Sequence, residues 1–207
     1  ETFIYSLVRS EDPHAYFVLT NLLERLQAIG KLSDVVLSKN INGQTPLDVA
    51  ANNENIHTTI QLLVYMRELP ESVFFAWAQR STLLFALVTN NNDHFFDAVM
   101  RELRNCDEQT IAPLFTKKSA MTGDTPLHIA LKAHDYYKTK ALLEACNYET
   151  IRQLFDTQNN DRITPQALAY DSEDELMIDL FDHIIDWLNG TNDEDETHSF
   201  DSQESYY

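Results

Sequence analysis

The chain has 207 residues, 43% of them apolar, and a formal net charge of −18. This length allows one large domain or one short repeat array with a sizeable core. The charge disfavours binding to nucleic-acid phosphates or to an anionic membrane. Only 4 glycines are present, which argues against phosphate-binding loops and a turn-rich all-β fold. No apolar run approaches the roughly 18 residues that span a bilayer, and no signal peptide is visible.

Residues 1–38 predict an N-terminal capping unit of two helices. Phe3–Arg9 fits a first short helix, and Ala15–Ile29 fits a second, longer one that Gly30 ends. Four leucines recur on one face of the longer helix: Leu19, Leu22, Leu23 and Leu26. Because the chain begins with Glu1, we expect it to be a fragment or a processed form of a longer protein.

One six-residue phrase recurs along the rest of the chain. Its copies are Thr45–Ala50 (TPLDVA), Ser81–Ala86 (STLLFA), Thr125–Ala130 (TPLHIA) and Thr164–Ala169 (TPQALA). The copies start at 45, 81, 125 and 164, so the spacings are 36, 44 and 39 residues. Such self-similarity is typical of repeat architectures.

The residues of the phrase are those that begin a helix. Thr or Ser caps a helix by accepting a bond from an unpaired backbone N–H, and Pro fits the first helical position. Gly43 and Gly123 stand two residues before the Thr of the two strong copies, where a turn with positive φ is expected. Gln79 and Arg162 stand there in the weak copies, so we expect altered turns at both.

Each phrase lies between a short apolar segment and a longer amphipathic helix. The helices are predicted over Ile56–Leu69, Asp93–Arg104, Tyr136–Ala145 and Glu173–Leu188. The short segments, 35–37, 73–75, 111–115 and 151–155, are interpreted as an added helical turn in the loop before each phrase.

The phrase T-P-L-H-x-A followed by a second helix resembles the ankyrin repeat. Thr125–Ala130 matches it fully, and Thr45–Ala50 matches except that Asp48 replaces His. The resemblance covers roughly residues 39–190 and implies an all-α solenoid of stacked helix-turn-helix units with extra short helices in the loops. Long-loop units of this kind are similar to those of some bacterial and viral effectors. The resemblance also implies that His128 is structural, bonding the Thr of its own turn and tying adjacent loops.

The C-terminal end is acidic. Arg162 is the last cation, and 13 acids follow it, so the first 162 residues carry only −5 of the net charge. The helix predicted over 173–188 would cap the solenoid, started by a Ser172–Glu175 capping box. Residues 191–207 have the composition of a disordered acidic tail.

No residue pattern indicates catalysis or a cofactor. Cys106 and Cys146 lack a flanking nucleophile motif and are interpreted as structural thiols in a reducing, cytoplasmic setting. The seven histidines show neither HxxxH nor HExxH spacing, so no metal site is predicted. We expect no enzyme activity and no cofactor.

We expect the chain to bind another protein, as a monomer, through loop tips and a concave face. The candidate contact residues are polar: Lys39, Asn40, Asn42, Asn52, Asn53, Gln79, Arg80, Asn90, Lys117, Lys118, Lys132, His134, Asn159, Asn160 and Arg162. Three functions stay open: a scaffold, including a pathogen effector in host cytoplasm; an inhibitor that masks a basic segment of a regulatory protein; and the ankyrin portion of a larger enzyme. The acidic tail is expected either to fold back towards Lys117 and Lys118 or to recruit a basic partner.

Overall fold

The computed structural model describes residues 3–190, and within them the protein is all-α, with fourteen helices and no strand. The all-α prediction is therefore confirmed. In chain order the helices are α1 (Phe3–Arg9), α2 (Pro13–Ala28), α3 (Leu32–Val36), α4 (Pro46–Asn52), α5 (Ile56–Arg67), α6 (Glu71–Ala78), α7 (Leu83–Thr89), α8 (Asp93–Arg104), α9 (Glu108–Thr116), α10 (Pro126–Lys132), α11 (Tyr136–Glu144), α12 (Tyr148–Asp156), α13 (Pro165–Asp171) and α14 (Glu175–Gly190). The tail predicted for residues 191–207 lies outside the described residues.

The helices succeed one another in sets of three. Each set opens with a first helix of seven residues (α1, α4, α7, α10 and α13). A longer second helix of 9 to 16 residues follows (α2, α5, α8, α11 and α14). Short third helices of 5 to 9 residues close the first four sets (α3, α6, α9 and α12). They confirm the added helical turns that the short apolar segments predict.

Threonine–proline pairs begin three of the first helices as expected. The hydroxyls of Thr45, Thr125 and Thr164 each accept a bond from the backbone N–H three residues on, and Pro occupies the first helical position. This satisfies one unpaired N–H, which typically contributes about 1 kcal/mol. At α7 Thr82 makes no such bond; the neighbouring Ser81 hydroxyl accepts from Leu83 N–H instead.

The chain divides into two compact units, residues 1–114 and 115–207. In the first unit the first helices α1, α4 and α7 pack on one another in sequence order, and the second helices α2, α5 and α8 do the same. In the second unit α10 packs on α13 and α11 packs on α14. Each unit is thus built from neighbouring helix pairs joined side by side.

Each unit has its own apolar core. In the first, α8 buries Phe95, Phe96 and Leu103 completely. In the second, the rings of Phe155 and Phe181 stack with centroids 5.0 Å apart. Full burial of such side chains contributes roughly 1.5–3 kcal/mol each, so packing of these faces, rather than helix propensity, stabilises helices of only seven residues.

The start of the last helix differs from the prediction. The helix was expected over 173–188 with a Ser172–Glu175 capping box, but α14 begins at Glu175. Asp174 caps it by accepting from the backbone N–H of Leu176, and Ser172 instead bonds backwards to the preceding helix α13. The capping-box prediction is therefore wrong, because a nearer carboxylate takes the capping position.

Among the described residues no single helix is long and apolar enough to cross a membrane. Helices α6 and α7 taken together are long and apolar enough by length and composition alone, but a bend of 49° separates them.

Candidate protein-interaction loops

Four loops precede the first helices α4, α7, α10 and α13. They comprise residues 39–44, 79–81, 117–124 and 157–163, and they contain most of the cations predicted to contact a partner. Three of the four loops form a similar turn, because a backbone bond closes each at its base, although the turn in the 117–124 loop is one residue longer. These bonds join Asn40 N–H to Gln44 O (2.9 Å), Ser119 N–H to Asp124 O (2.7 Å) and Asn159 N–H to Ile163 O (3.0 Å).

The turn requires one residue in the left-handed region, and the expected position supplies it. Gly43, Gly123 and Arg162 have φ of +75°, +69° and +63°. The prediction of an altered turn at Arg162 is therefore wrong. The turn is present, and Arg162 adopts the left-handed conformation that is strained for a non-glycine residue. The altered turn predicted at Gln79 is confirmed. Gln79 has φ −57° and ends helix α6, so the 79–81 loop is too short to form the turn.

A side chain on the third residue of a first helix anchors the following loop. Tyr5 of α1, Asp48 of α4 and His128 of α10 occupy this position. All three are buried. The Tyr5 hydroxyl lies 2.7 Å from the carbonyl oxygen of Ser38 and 2.9 Å from that of Gln44, both in or beside the 39–44 loop. We call these three residues the anchor residues.

Asp48 anchors its loop as an acceptor. Its Oδ1 accepts from the Ser81 hydroxyl (2.9 Å) and from the Thr82 N–H (3.0 Å) at the end of the 79–81 loop. Its Oδ2 accepts from the N–H and the hydroxyl of Thr45, at 2.9 and 2.7 Å. The Thr82 hydroxyl also donates to Oδ1, at 3.4 Å. Each oxygen therefore receives at least two bonds, which satisfies the carboxylate of a residue that is only 4% exposed.

His128 anchors its loop as a donor. Its Nδ1 lies 3.2 Å from Thr125 N–H, which donates to it, so Nε2 carries the proton and donates to the Ile163 carbonyl at 3.0 Å. Burial lowers the pKa of the imidazole and outweighs the opposing bond to Ile163. Both contacts implied for His128 by the ankyrin resemblance are present.

A polar cluster fixes the base of the second unit's loops. Both oxygens of Asp124 accept from the Lys132 ammonium at 2.8 Å, and Oδ1 also accepts from the Asn159 amide at 2.8 Å. Burial alone would raise the pKa of Asp124, but the bonds from Lys132, Asn159 and Thr122 together lower it. Lys132 and Asn159 therefore hold the base of these loops through Asp124.

The 117–124 and 157–163 loops are also joined at their tips. The Lys118 ammonium donates to the carbonyl of Gln158 (2.8 Å), and the Asn160 amide donates to the carbonyl of Met121 (3.0 Å). The backbone N–H of Asn160 donates to Thr122 O (2.9 Å). These bonds hold the two loops as one surface.

The residues predicted to contact a partner fall into three groups. Those exposed at a surface are Lys39, Asn42, Asn52, Asn53, Gln79, Arg80, Lys118, Lys132, His134, Asn160 and Arg162. Those half-buried are Asn40, Asn90 and Lys117. Asn159 is 5% exposed, and its Oδ1 accepts from the N–H groups of Asp161 and Ile163. Asn159 is therefore buried within the fold, whereas Lys132 is exposed and pairs with Asp124.

Two apolar residues that the sequence did not single out are almost fully exposed in these loops. Ile41 is 101% exposed and Met121 is 88% exposed. Each stands two residues before the left-handed glycine of its turn, Gly43 or Gly123. This repeated position is the sequence feature that could have indicated these two residues. Covering an exposed apolar side chain by a partner would remove its apolar surface from water, which is favourable.

The two cysteines lie away from these loops and differ in their surroundings. Cys106 lines a shallow groove of about 320 Å³ beside Arg67, Glu71 and Thr110. Burial is the main cause that raises the pKa of the Cys106 thiol, which disfavours the reactive thiolate. Cys146 is buried. Within residues 3–190 no group of three His, Cys, Asp or Glu side chains is placed to hold a metal ion.

Comparison with protein-family models gives no match to this chain, and comparison with curated proteins gives none either. The ankyrin resemblance therefore depends on the residues of the chain itself.

Proposed function

We propose that the chain is an ankyrin-type repeat protein that binds another protein through the loops before its first helices and catalyses no reaction. The recurring seven-residue helix with its Thr-Pro start, its longer partner helix and its anchor residue supports this assignment. Among residues 3–190 neither cysteine forms a disulfide, which is compatible with a reducing compartment such as the cytoplasm.

The observation that carries this proposal is the exposure of Ile41 and Met121 at the same position of two loops. A side chain exposed to this extent adds little to packing within its unit, and an apolar residue recurs at this position in two loops. Burial of such a side chain in a partner's pocket would typically contribute more than about 1 kcal/mol to binding. The turn and loop bonds described above hold the backbone of both loops in place, which lowers the entropic cost of binding.

Site-specific photo-crosslinking in cells of the source organism tests this proposal. A photoreactive amino acid replaces Met121 or Ile41, and Ile29 serves as the matched control because it is apolar and 69% exposed but lies after a second helix. We expect a partner to be captured from position 121 or from position 41 and none from position 29. Equal capture from all three positions, or none from the loops, would contradict the proposal.

The captured partner then allows a direct measurement of affinity. We expect Met121→Asp to weaken binding at least tenfold, or about 1.4 kcal/mol, while Ile29→Asp leaves the affinity within twofold. Both variants should unfold at the wild-type temperature, because neither side chain is part of a core.

A second candidate function follows from the acidic face of α14. Glu175, Asp179, Asp182 and Asp186 recur at helical spacing on one exposed stripe. A basic segment of a regulatory protein would complement this stripe, as in the inhibitor alternative. The two functions differ in their response to salt. Binding at the stripe should weaken strongly between 50 and 300 mM NaCl, since exposed charges are screened, whereas binding centred on Ile41 and Met121 should change little.

A further inference from the structure

Helix α2 of the first unit leaves most of its surface uncovered. It buries only two of its 16 residues, whereas α5 buries six of its 12 residues. One flank of α2 faces α5: the Tyr16 and His57 ring centroids lie 6.1 Å apart, and the Thr20 hydroxyl accepts from the Gln61 amide. The helix therefore packs on its neighbours by one side and presents the other to solvent.

The solvent side of α2 has apolar residues near its centre. Its residues follow the helical spacing i, i+3, i+4, i+7 and i+11, which places them on one face, and all five are exposed: His14, Phe17, Val18, Asn21 and Arg25. Phe17 is 69% exposed and Val18 is 41% exposed. An aromatic ring beside a valine, with polar residues around them, has the composition of a small protein interface.

Two exposed charges of opposite sign stand at equal distances from this apolar centre. Glu11 lies just before α2 and Arg25 lies in its last turn, each seven residues from Val18, or about 10 Å along the helix axis. Among residues 3–190 neither of them forms an ion pair. A two-fold axis through Val18 would therefore place Arg25 of each copy opposite Glu11 of the other, with the Phe17 and Val18 side chains meeting between them.

We propose that a second copy of this chain covers the exposed face of α2, with the two α2 helices antiparallel. Because this face is self-complementary in charge, one two-fold contact satisfies both ends of each helix and covers both apolar centres. This departs from the monomer expected from the sequence. The inference goes beyond the proposed function, since it concerns a surface other than the loops, and a dimer would present two sets of loops to a partner.

The size of the face sets the strength of the contact. The paired region extends from Glu11 to Arg25, about 21 Å of helix. One helix face of this length buries less than the roughly 800 Å² per partner of a stable dimer, so we expect a Kd of about 100 µM. Ile29 lies beyond the paired region, so it remains a suitable control for the loops.

Sedimentation equilibrium of the full chain tests the association, in about 150 mM NaCl so that repulsion between two acidic chains is screened. Between about 10 µM and 1 mM protein we expect the average mass to rise from one chain towards two. Phe17→Glu should weaken association at least tenfold, whereas Leu176→Glu, at an apolar residue 62% exposed on α14, should leave it within twofold. The mass of one chain at every concentration would overturn the proposal, as would a loss of association in Met121→Asp instead of Phe17→Glu.

Charge exchange tests the antiparallel pairing itself. Glu11→Arg leaves a cation at both ends of the face and Arg25→Glu leaves an acid at both ends, so each variant alone should self-associate about fivefold more weakly. In an equimolar mixture of the two variants every cation meets an acid, so the mixed dimer should form with the wild-type affinity within twofold. The chain with both substitutions should recover equally. Weakening of the single variants without recovery in the mixture and the double variant would overturn the pairing, and an unchanged unfolding temperature shows that each variant is folded.

Discussion

Exchange of two anchor residues tests the donor and acceptor roles assigned to them. Asp48 accepts from donors at the end of the 79–81 loop, whereas His128 donates to a carbonyl in the 157–163 loop. Asp48→His would turn an N–H towards the N–H of Thr82, and His128→Asp would turn a carboxylate towards the carbonyl of Ile163. Each variant keeps a residue type that the chain already uses at this position of a first helix. Only the pairing of donor and acceptor between the anchor residue and the following loop therefore changes.

The expected losses in the free energy of unfolding follow from the hydrogen bonds between each anchor residue and the following loop. Asp48→His removes the two bonds of Oδ1 at 2.9 and 3.0 Å. Bonds to a charged group contribute about 1.5 kcal/mol each or more, so the loss is about 3 kcal/mol. His128→Asp leaves a buried carboxylate beside a carbonyl at a position 0% exposed, and an uncompensated buried charge costs about 3–5 kcal/mol. Asp34→His, at a side chain 63% exposed, should cost less than about 0.5 kcal/mol.

The two tryptophans allow each unit to be followed separately. Trp77 lies in the first unit and Trp187 in the second. Urea unfolding monitored by fluorescence, with the other tryptophan replaced by Phe, reports the free energy of unfolding of each unit. Asp48→His should shift the Trp77 transition, and His128→Asp the Trp187 transition. The reasoning would be refuted if both swaps changed stability by less than about 1 kcal/mol.

Three other predictions concern the second unit, with Gly43 of the first unit as a comparison. Gly123→Ala should destabilise by about 3 kcal/mol, because its Cβ would meet the Asn160 side chain and lie 2.8 Å from the Asn160 nitrogen; Gly43→Ala, with nothing within 4 Å, should cost only the strain of positive φ, about 1 kcal/mol. Arg162→Gly should stabilise by up to about 1 kcal/mol in the same urea assay, since glycine removes that strain, and a loss of stability would contradict this. Burial lowers the pKa of His128 below its ordinary value near 6.5, so the unfolded chain binds the proton first. Stability is therefore full above pH 6.5 and falls as the pH drops below it; an unchanged unfolding free energy of the second unit between pH 7 and 5.5 would contradict this.

Helical periodicity predicted most elements because each second helix buries one continuous face. Asp93–Arg104 was predicted with the observed bounds of α8, and Phe3–Arg9 with those of α1. Errors arose where several polar residues compete for one cap. Ser172 and Asp174 could both cap α14, and the sequence pattern does not show that the chain at Glu173 adopts φ +57°, which places Asp174 nearer the helix.

The turn at Arg162 shows why a single residue is a weak guide to loop geometry. Glycine was expected to decide the turn, but Asn159 fixes it by accepting from two N–H groups and donating to Asp124. That network outweighs the strain of about 1–2 kcal/mol at a non-glycine residue. The same network explains why Asn159, predicted at the surface, is buried.

The exposure of Ile41 and Met121 could not be predicted from the sequence, because an isolated apolar residue in a loop gives no periodic signal. Polar residues were favoured as contact points, and several of these, including Lys132, prove to bond within the fold. Only the repeated position two residues before a left-handed glycine sets the two apolar residues apart. A partner surface of this kind becomes visible once exposure is known for each side chain.

The three anchor residues differ in chemistry, and this has a consequence for folding. In an array of identical units, a hairpin that associates with the wrong neighbour loses little, so register slips and swapped units are tolerated. Here Tyr5 and His128 meet carbonyl oxygens, whereas Asp48 meets a hydroxyl and an N–H. Exchanging the Asp48 hairpin with either of the other two would leave two acceptors or two donors facing each other in a buried contact, so these hydrogen bonds specify the position of the Asp48 hairpin.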